Sequence, residues 1–314
     1  MLGHQNMSTV MEEVSMSLTK FLSNNQDVRD RFRQQFNKPP LAIDKDLLAP
    51  PLSNRYTLVG TAFDYLLRFY VKRLNPDAVE TQWVAEHCLT QPFSPLLVDA
   101  TIDGDTGTIV SYTETKWTKR AKQIIEQAKA DYSDYLRSGR ITDDLFKSAL
   151  CLAQLDPIYR AGIIDENMGN VQDEDIEDLR KLLSIVDPKL FKSQYLCTLN
   201  PTFGEASRLV GGADADLLID DLLIDVKTTK KLNFQTTFFH QLMGYVVLHE
   251  IAGVGDLKPK LPVTKAGIYF ARHAHLHVFQ LDAVIDRDSF PEFVRWFKER
   301  AANEYPTPKL KPLH

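Results

Sequence analysis

Cysteine is scarce in this chain and forms no pattern. Cys88, Cys151 and Cys197 are odd in number, widely spaced, and build no C-x-x-C or Cys/His cluster. A disulfide framework and a structural zinc site are therefore disfavoured, and a reducing compartment is expected. Long apolar runs are missing too: none approaches the roughly 18 residues that a membrane-spanning helix needs. The opening stretch Met1 to Val14 lacks a basic-then-apolar signal pattern. Together these absences predict a soluble, cytoplasmic protein without a membrane partner. Positive charge is not in excess either. The net charge of -5 argues against a nonspecific basic coat for nucleic acid. It leaves room for a local basic groove, or for a metal site rich in carboxylates. No G-x-S-x-G elbow and no G-x-x-x-x-G-K-[ST] loop is present, which excludes the common serine-hydrolase and P-loop chemistries. Gly211-Gly212 precede a strand rather than a helix, so dinucleotide binding is disfavoured.

What is present suffices for a sizeable core. Of the 314 residues, 44% are hydrophobic and 25% charged, enough for one large domain or two ordinary ones. Residues 1 to about 36 have helical spacing, with apolar positions at Val10, Val14, Leu18 and Phe21 and a charged stretch through Arg33. Pro39, Pro40, Pro50 and Pro51 then mark a connector. A strong helix is expected from Gly60 to Leu74, where Thr61 and Asp64 have the spacing of a capping box. Residues 115 to about 190 are helical in pattern and mostly polar. They start basic at Lys116, Lys119, Arg120 and Lys122, and end acidic through Asp178. This stretch reads as a helical insertion. After Tyr195 come short apolar runs, a helix from Phe238 to Ile251, further strands, and a last helix beginning at Pro291. The order predicts an α/β protein with a central mixed sheet flanked by helices. The expected division is residues 1–55 as an N-terminal helical arm and Pro-rich connector, and 56–314 as the main domain.

One hairpin carries the chemistry. Leu217-Leu218-Ile219 and Leu222-Leu223-Ile224 flank Asp220-Asp221. A two-residue turn there pairs Ile219 with Leu222, Leu217 with Ile224, Asp216 with Asp225, and Asp214 with Lys227. Side chains alternate along strands, so Asp214, Asp216, Asp225 and Lys227 share a face at the open end. Two facing carboxylates repel, and a divalent cation offsets that repulsion. Hard oxygen ligands suit Mg²⁺ or Mn²⁺. Val226 points the other way, into the core, while its backbone carbonyl is a further candidate ligand.

The order Asp216, then Asp225-Val226-Lys227, resembles the D…(D/E)-x-K signature of the PD-(D/E)XK nucleases. The helix that follows holds Gln241-Leu242-Met243-Gly244-Tyr245, similar to the Q-x-x-x-Y element of the RecB-like branch. Gln241 and Tyr245 lie one helical turn apart and share a face. The resemblance covers about residues 195 to 285. It implies a restriction-endonuclease-like fold and a Mg²⁺- or Mn²⁺-dependent nuclease acting on DNA in repair, recombination, phage biology or defence. Asp216, Asp225 and the Val226 carbonyl would hold the metal. Lys227 would orient or help deprotonate the attacking water, and Gln241 and Tyr245 would brace the site or touch the nucleic-acid backbone. A helicase or other protein partner is implied as well. The family adds an upstream acid, for which both Asp64 and Glu205 are candidates. An RNase using the same site, or a nuclease-fold protein that only binds, are the competing readings.

Three further groups invite function. Lys116, Lys119 and Arg120 are candidate nucleic-acid contacts, as is Arg272, which could reach a phosphate. His273, His275 and His277 alternate along an expected strand; their simplest reading is an exposed sheet face rather than a metal site. Asp214 is either a supporting group or plain surface.

Overall fold

Short apolar runs in the second half of the chain build five strands of a six-stranded mixed sheet. The computed structural model describes residues 17–90, 99–102, 109–255 and 261–305. Val10, Val14 and the chain after Tyr305 lie outside the described residues. The strands are β1 (Val79–Glu80), β4 (Cys197–Leu199), β5 (Leu217–Ile219), β6 (Leu222–Lys227), β7 (Lys265–Phe270) and β8 (His275–Gln280), in the spatial order β1-β4-β5-β6-β7-β8. β1 runs parallel to β4 and β6 parallel to β7; the other neighbours are antiparallel. A separate antiparallel ribbon joins β2 (Asp99–Ile102) to β3 (Ile109–Thr113).

The period-2 alternation divides the apolar residues between two faces. Leu217, Ile219 and Ile224 pack with α3 (Tyr56–Leu74), α5 (Lys116–Ser138), α6 (Asp143–Ala161) and α7 (Asp173–Ser184). Leu218, Leu223, Ile268 and Phe270 pack with α1 (Leu18–Asn24), α2 (Gln26–Gln35), α9 (Thr236–Ala252) and α10 (Phe290–Glu304). The short helices α4 (Val84–His87) and α8 (Glu205–Leu209) complete the α-helices described. The helical stretch 115–190 packs onto the sheet. Its three helices share one apolar cluster with α3 and the sheet, and so form a layer of the same core. Thr115 and Thr142 cap the N-termini of α5 and α6 with their hydroxyls.

Four local expectations change. The N-terminal helix breaks at Asn25, the shared cap of α1 and α2. α3 begins at Tyr56, so Thr61 and Asp64 stand inside it, and Asp64 is no capping carboxylate. The hairpin keeps the expected pairs Leu217 with Ile224 and Ile219 with Leu222, but its ladder stops there: the expected Asp216–Asp225 and Asp214–Lys227 pairs do not form, and Asp214 bridges to Thr202 instead. Only Asp220 adopts a positive φ (54°), and its carboxylate accepts from the N–H groups of Gln194, Tyr195 and Leu196. The stretch Ala266–Leu281 is two strands around a 3₁₀ corner (Ala271–His273), where Ala274 turns at φ 45°. Among the described residues, no helix is long and apolar enough to cross a membrane.

Candidate active site

The site begins where the β5–β6 ladder stops. Beyond the Leu217–Ile224 pair, the Asp216 carbonyl accepts from Asn200 N–H (2.9 Å), on the β4 side. The Asp216 side chain instead takes the β6 N–H that the ladder leaves unpaired: Val226 N donates to Oδ2 at 2.6 Å. A notch opens between the two strands. In a strand the N–H and C=O of one residue leave on the same side, so the Val226 carbonyl faces this notch too.

Asp225 and Lys227 project toward α9, opposite to Val226, which packs against the α3 side. Asp225 is buried, and its Oδ2 lies 2.7 Å from Lys227 Nζ. Lys227 Nζ donates to Gln241 Oε1 at 3.1 Å, and Gln241 Nε2 donates to the Tyr245 hydroxyl at 2.8 Å. The ammonium also lies 5.3 Å from the centroid of the Phe238 ring, and Tyr245 stacks on Phe203. An acid, a lysine, an amide and a phenol from β6 and α9 thus form one connected chain.

α3 approaches the notch from the other face. At Gly60 it passes so close to the end of β6 that a Cβ there would stand 2.8 Å from Thr228 Oγ1. One turn on, Asp64 pairs with Arg68 (2.6 Å), and its Oδ1 is buried without a hydrogen-bond partner. Burial raises the Asp216 carboxyl well above the usual carboxylate range, and the negative charges of Asp64 and Asp225 add to the effect. Burial also raises Asp64, with Arg68 opposing and Asp214 adding, and raises Asp225, with Lys227 opposing. Burial acts to lower Lys227, but Asp225 and Asp216 outweigh it and hold its pKa up.

Asp64, and not Glu205, therefore stands against Asp216. Glu205 is exposed at the start of α8. Asp214 bonds to Arg160 of α6 at 3.1 Å; Arg160 also lies 3.8 Å from Asp156, which accepts from the Tyr65 hydroxyl at 2.7 Å. Asp64, Asp156, Asp214, Asp216 and Asp225 thus face Arg68, Arg160 and Lys227, five carboxylates against three cations. This excess of two carboxylates over cations, the unpartnered Asp64 Oδ1 and the Asp225 Oδ2 without a well-aligned donor fit a hard divalent cation. Among the described residues, no three His, Cys, Asp or Glu side chains are gathered closely enough to hold a metal as they stand. Lys227 occupies Asp225, and Arg68 occupies Asp64.

The remaining candidates lie elsewhere. Arg272 does not face a substrate: it is 1% exposed and clamps Asp178 through two contacts of 2.7 and 3.1 Å. It also donates to the carbonyls of Thr228 and Ala49. Lys116, Lys119 and Arg120 are exposed on the first turns of α5 and, among the described residues, bond to no site residue. His273 sits in the corner, not in the strand, with its ring between the carbonyls of Asp46 and Lys230. His275 and His277 alone share the β8 face.

No protein-family model, no curated protein and no solved structure matches this chain.

Proposed function

We propose that this chain is a metal-dependent nuclease that hydrolyses DNA phosphodiester bonds, on a restriction-endonuclease-like fold of the RecB-like kind. The observation that carries the reading is the chain Asp225–Lys227–Gln241–Tyr245, closed against Asp216 and Asp64 at the notch. The residue types that suggested a family by spacing alone stand together as one unit.

Asp216, Asp225 and the Val226 carbonyl, with Asp64 as the upstream acid, would hold Mg²⁺ or Mn²⁺, which polarises the phosphodiester and makes a bound water more acidic. The residues around it have separate tasks. Lys227 places an ammonium charge beside Asp225, where it orients the attacking water and offsets charge growing on the phosphoryl oxygens. Gln241 fixes that ammonium by its amide oxygen and is itself fixed by Tyr245. Phe203, Phe238 and the α9 face limit water on that side.

The test uses purified protein with Mg²⁺ or Mn²⁺ on DNA and, in parallel, on RNA of the same sequence. DNA cleavage that requires metal, and that Asp225→Ala and Lys227→Ala abolish in a folded chain, is the expected result. Cleavage of RNA alone would assign the same site to an RNase. Retained cleavage in both variants would remove the site assignment, and binding without cleavage would leave a nuclease-fold binding protein.

A further inference from the structure

Arg160 has no task in the reaction outlined above, although it stands at the same site. It lies in the last turn of α6, so it comes from the helical layer rather than from the sheet. α6 packs against α3 here. Asp156 meets Tyr65, and Arg160, one turn further, reaches the level of Asp64, whose carboxyl feels its charge. Arg160 Nη2 donates to Asp214 Oδ2 at 3.1 Å, and its Nε lies 3.8 Å from Asp156, beyond hydrogen-bonding distance.

Its solvent access separates it from the other cations of the site. The Arg160 side chain is 44% exposed, against 5% for Arg68 and 18% for Lys227. Arg68 closes on Asp64 inside the core, and Lys227 is enclosed by Asp225 and Gln241. A guanidinium carries five N–H donors in a planar fork matched to the oxygens of a phosphate. Among the described residues, Arg160 uses this fork for one hydrogen bond, to Asp214. The side chain is thus partly exposed, on the rim of a site with more carboxylates than cations. An anionic strand approaching that site meets repulsion unless a fixed cation receives it at the edge.

We propose that Arg160 is a phosphodiester-binding residue, by which the helical layer grips a DNA strand at a phosphate beside the one that is cut. Asp214 is its internal partner when no strand is bound, and the phosphate replaces that carboxylate on the guanidinium. No bond is made or broken in this exchange. The proposal rests on the nuclease reading for the position of the cut, but the binding event is separately measurable.

The experiment measures binding of the full-length chain to a fluorescent single-stranded DNA oligonucleotide, with divalent metal chelated, across a range of salt. Arg160→Gln should bind about tenfold more weakly, and the slope of log affinity against log salt should fall by about 0.7, the share of one phosphate contact on a single strand. Arg160→Lys should keep the slope, since the charge remains, while losing part of the affinity. Asp214→Asn should bind more tightly than the unaltered chain, because it releases the fork. Melting temperature and circular dichroism accompany each variant. A merely structural ion pair between α6 and the hairpin predicts lower melting for both Arg160→Gln and Asp214→Asn, with no change of slope, and that result overturns the proposal. An Asp214→Asn chain that folds but binds no tighter overturns it as well, even if Arg160→Gln fails to fold. Cleavage with Mg²⁺ or Mn²⁺ is scored separately. DNA binding without cleavage removes the nuclease reading alone, and absence of DNA binding in the unaltered chain removes this proposal whatever the cleavage result.

Discussion

Lys227 of β6 and Gln241 of α9 are joined by a 3.1 Å hydrogen bond from the ammonium to the amide oxygen, which leaves the amide nitrogen to hold Tyr245. The amide is therefore oriented from both ends, and it transmits the position of the helix to the lysine. Gln241→Ala is expected to lower kcat more than it raises KM, by about one to two orders of magnitude, since it loosens a charge that acts in the transition state. Tyr245→Phe removes only the anchor of the amide and should cost less. Steady-state rates on a DNA substrate with Mg²⁺ check both; an effect confined to KM would place these residues in strand binding instead.

The upstream acid is decided by the same assay. Asp64→Asn removes a carboxylate whose charge bears on Asp216 and Lys227, and should reduce cleavage by about 10² to 10³-fold. Glu205→Gln alters an exposed side chain on α8 and should leave the rate within a factor of about two. The reverse pattern would transfer the role to Glu205.

Stability should depend on pH and metal together. Asp64, Asp216 and Asp225 are raised above their unfolded values chiefly by burial, and burial lifts Asp156 to about 6. A group raised in the folded state stabilises the fold below its unfolded pKa, and that contribution is lost as pH climbs through the folded pKa. Without metal, the melting temperature should therefore fall as pH rises from about 4 through 6, the window set by Asp156. A divalent cation binds the ionised carboxylates only, so Mg²⁺ should raise the melting temperature near neutral pH and scarcely at about pH 5. An equal Mg²⁺ shift at both pH values would show that the ion binds elsewhere.

Gly60 offers a test of the approach between α3 and β6. In mid-helix, Gly→Ala gains up to about 1 kcal/mol from backbone entropy, but a Cβ here meets Thr228 Oγ1 at 2.8 Å. Gly60→Ala should therefore keep its melting temperature within a few degrees and lose cleavage, because Asp64 moves with the helix. Removing the hydroxyl in Gly60→Ala/Thr228→Ala should restore part of the rate. If the single variant cuts as well as the unaltered chain, the spacing of α3 does not matter to the site.

These residues differ in how far the sequence announced them. The hairpin could be read because its period-2 pattern and two-residue turn are local, and the register Leu217 to Ile224 follows from them. That Gln241 and Tyr245 share a face could be read because four residues span one helical turn; the bond between them is a finding of the structure. Asp64 was obscured: Thr61 and Asp64 imitate a capping box, while the true start at Tyr56 follows Arg55, which gives no side-chain cap. His273 was misplaced because strict alternation was carried through Ala274, whose positive φ turns the chain. Arg160 gave no local signal, and Arg272 invited a phosphate contact because nothing local showed its buried partner. Their carboxylate partners Asp214 and Asp178 lie 54 and 94 positions away, so the same residue type proved partly exposed in one case and buried in the other.

The Arg272–Asp178 pair gives the last prediction. The guanidinium is 1% exposed and its partner fully buried, and the two join β7–β8, α7, the connector at Ala49 and the end of β6 at Thr228. Asp175 extends the network to Ser53 and Arg55 just before α3. Taking away one partner leaves a buried charge without compensation, so Arg272→Met or Asp178→Leu should each cost about 3–5 kcal/mol in denaturant unfolding. Arg272→Lys should also destabilise, because a single ammonium cannot serve the carboxylate in two places and two carbonyls besides. The double variant Arg272→Met/Asp178→Leu should cost clearly less than the two singles together, since neither charge is then stranded. Each variant, assayed where it remains folded, should show the unaltered salt dependence of DNA binding, since the guanidinium faces no solvent. A reduced slope in Arg272→Met would return this residue to the nucleic-acid surface and reopen the packing of α7 against the sheet.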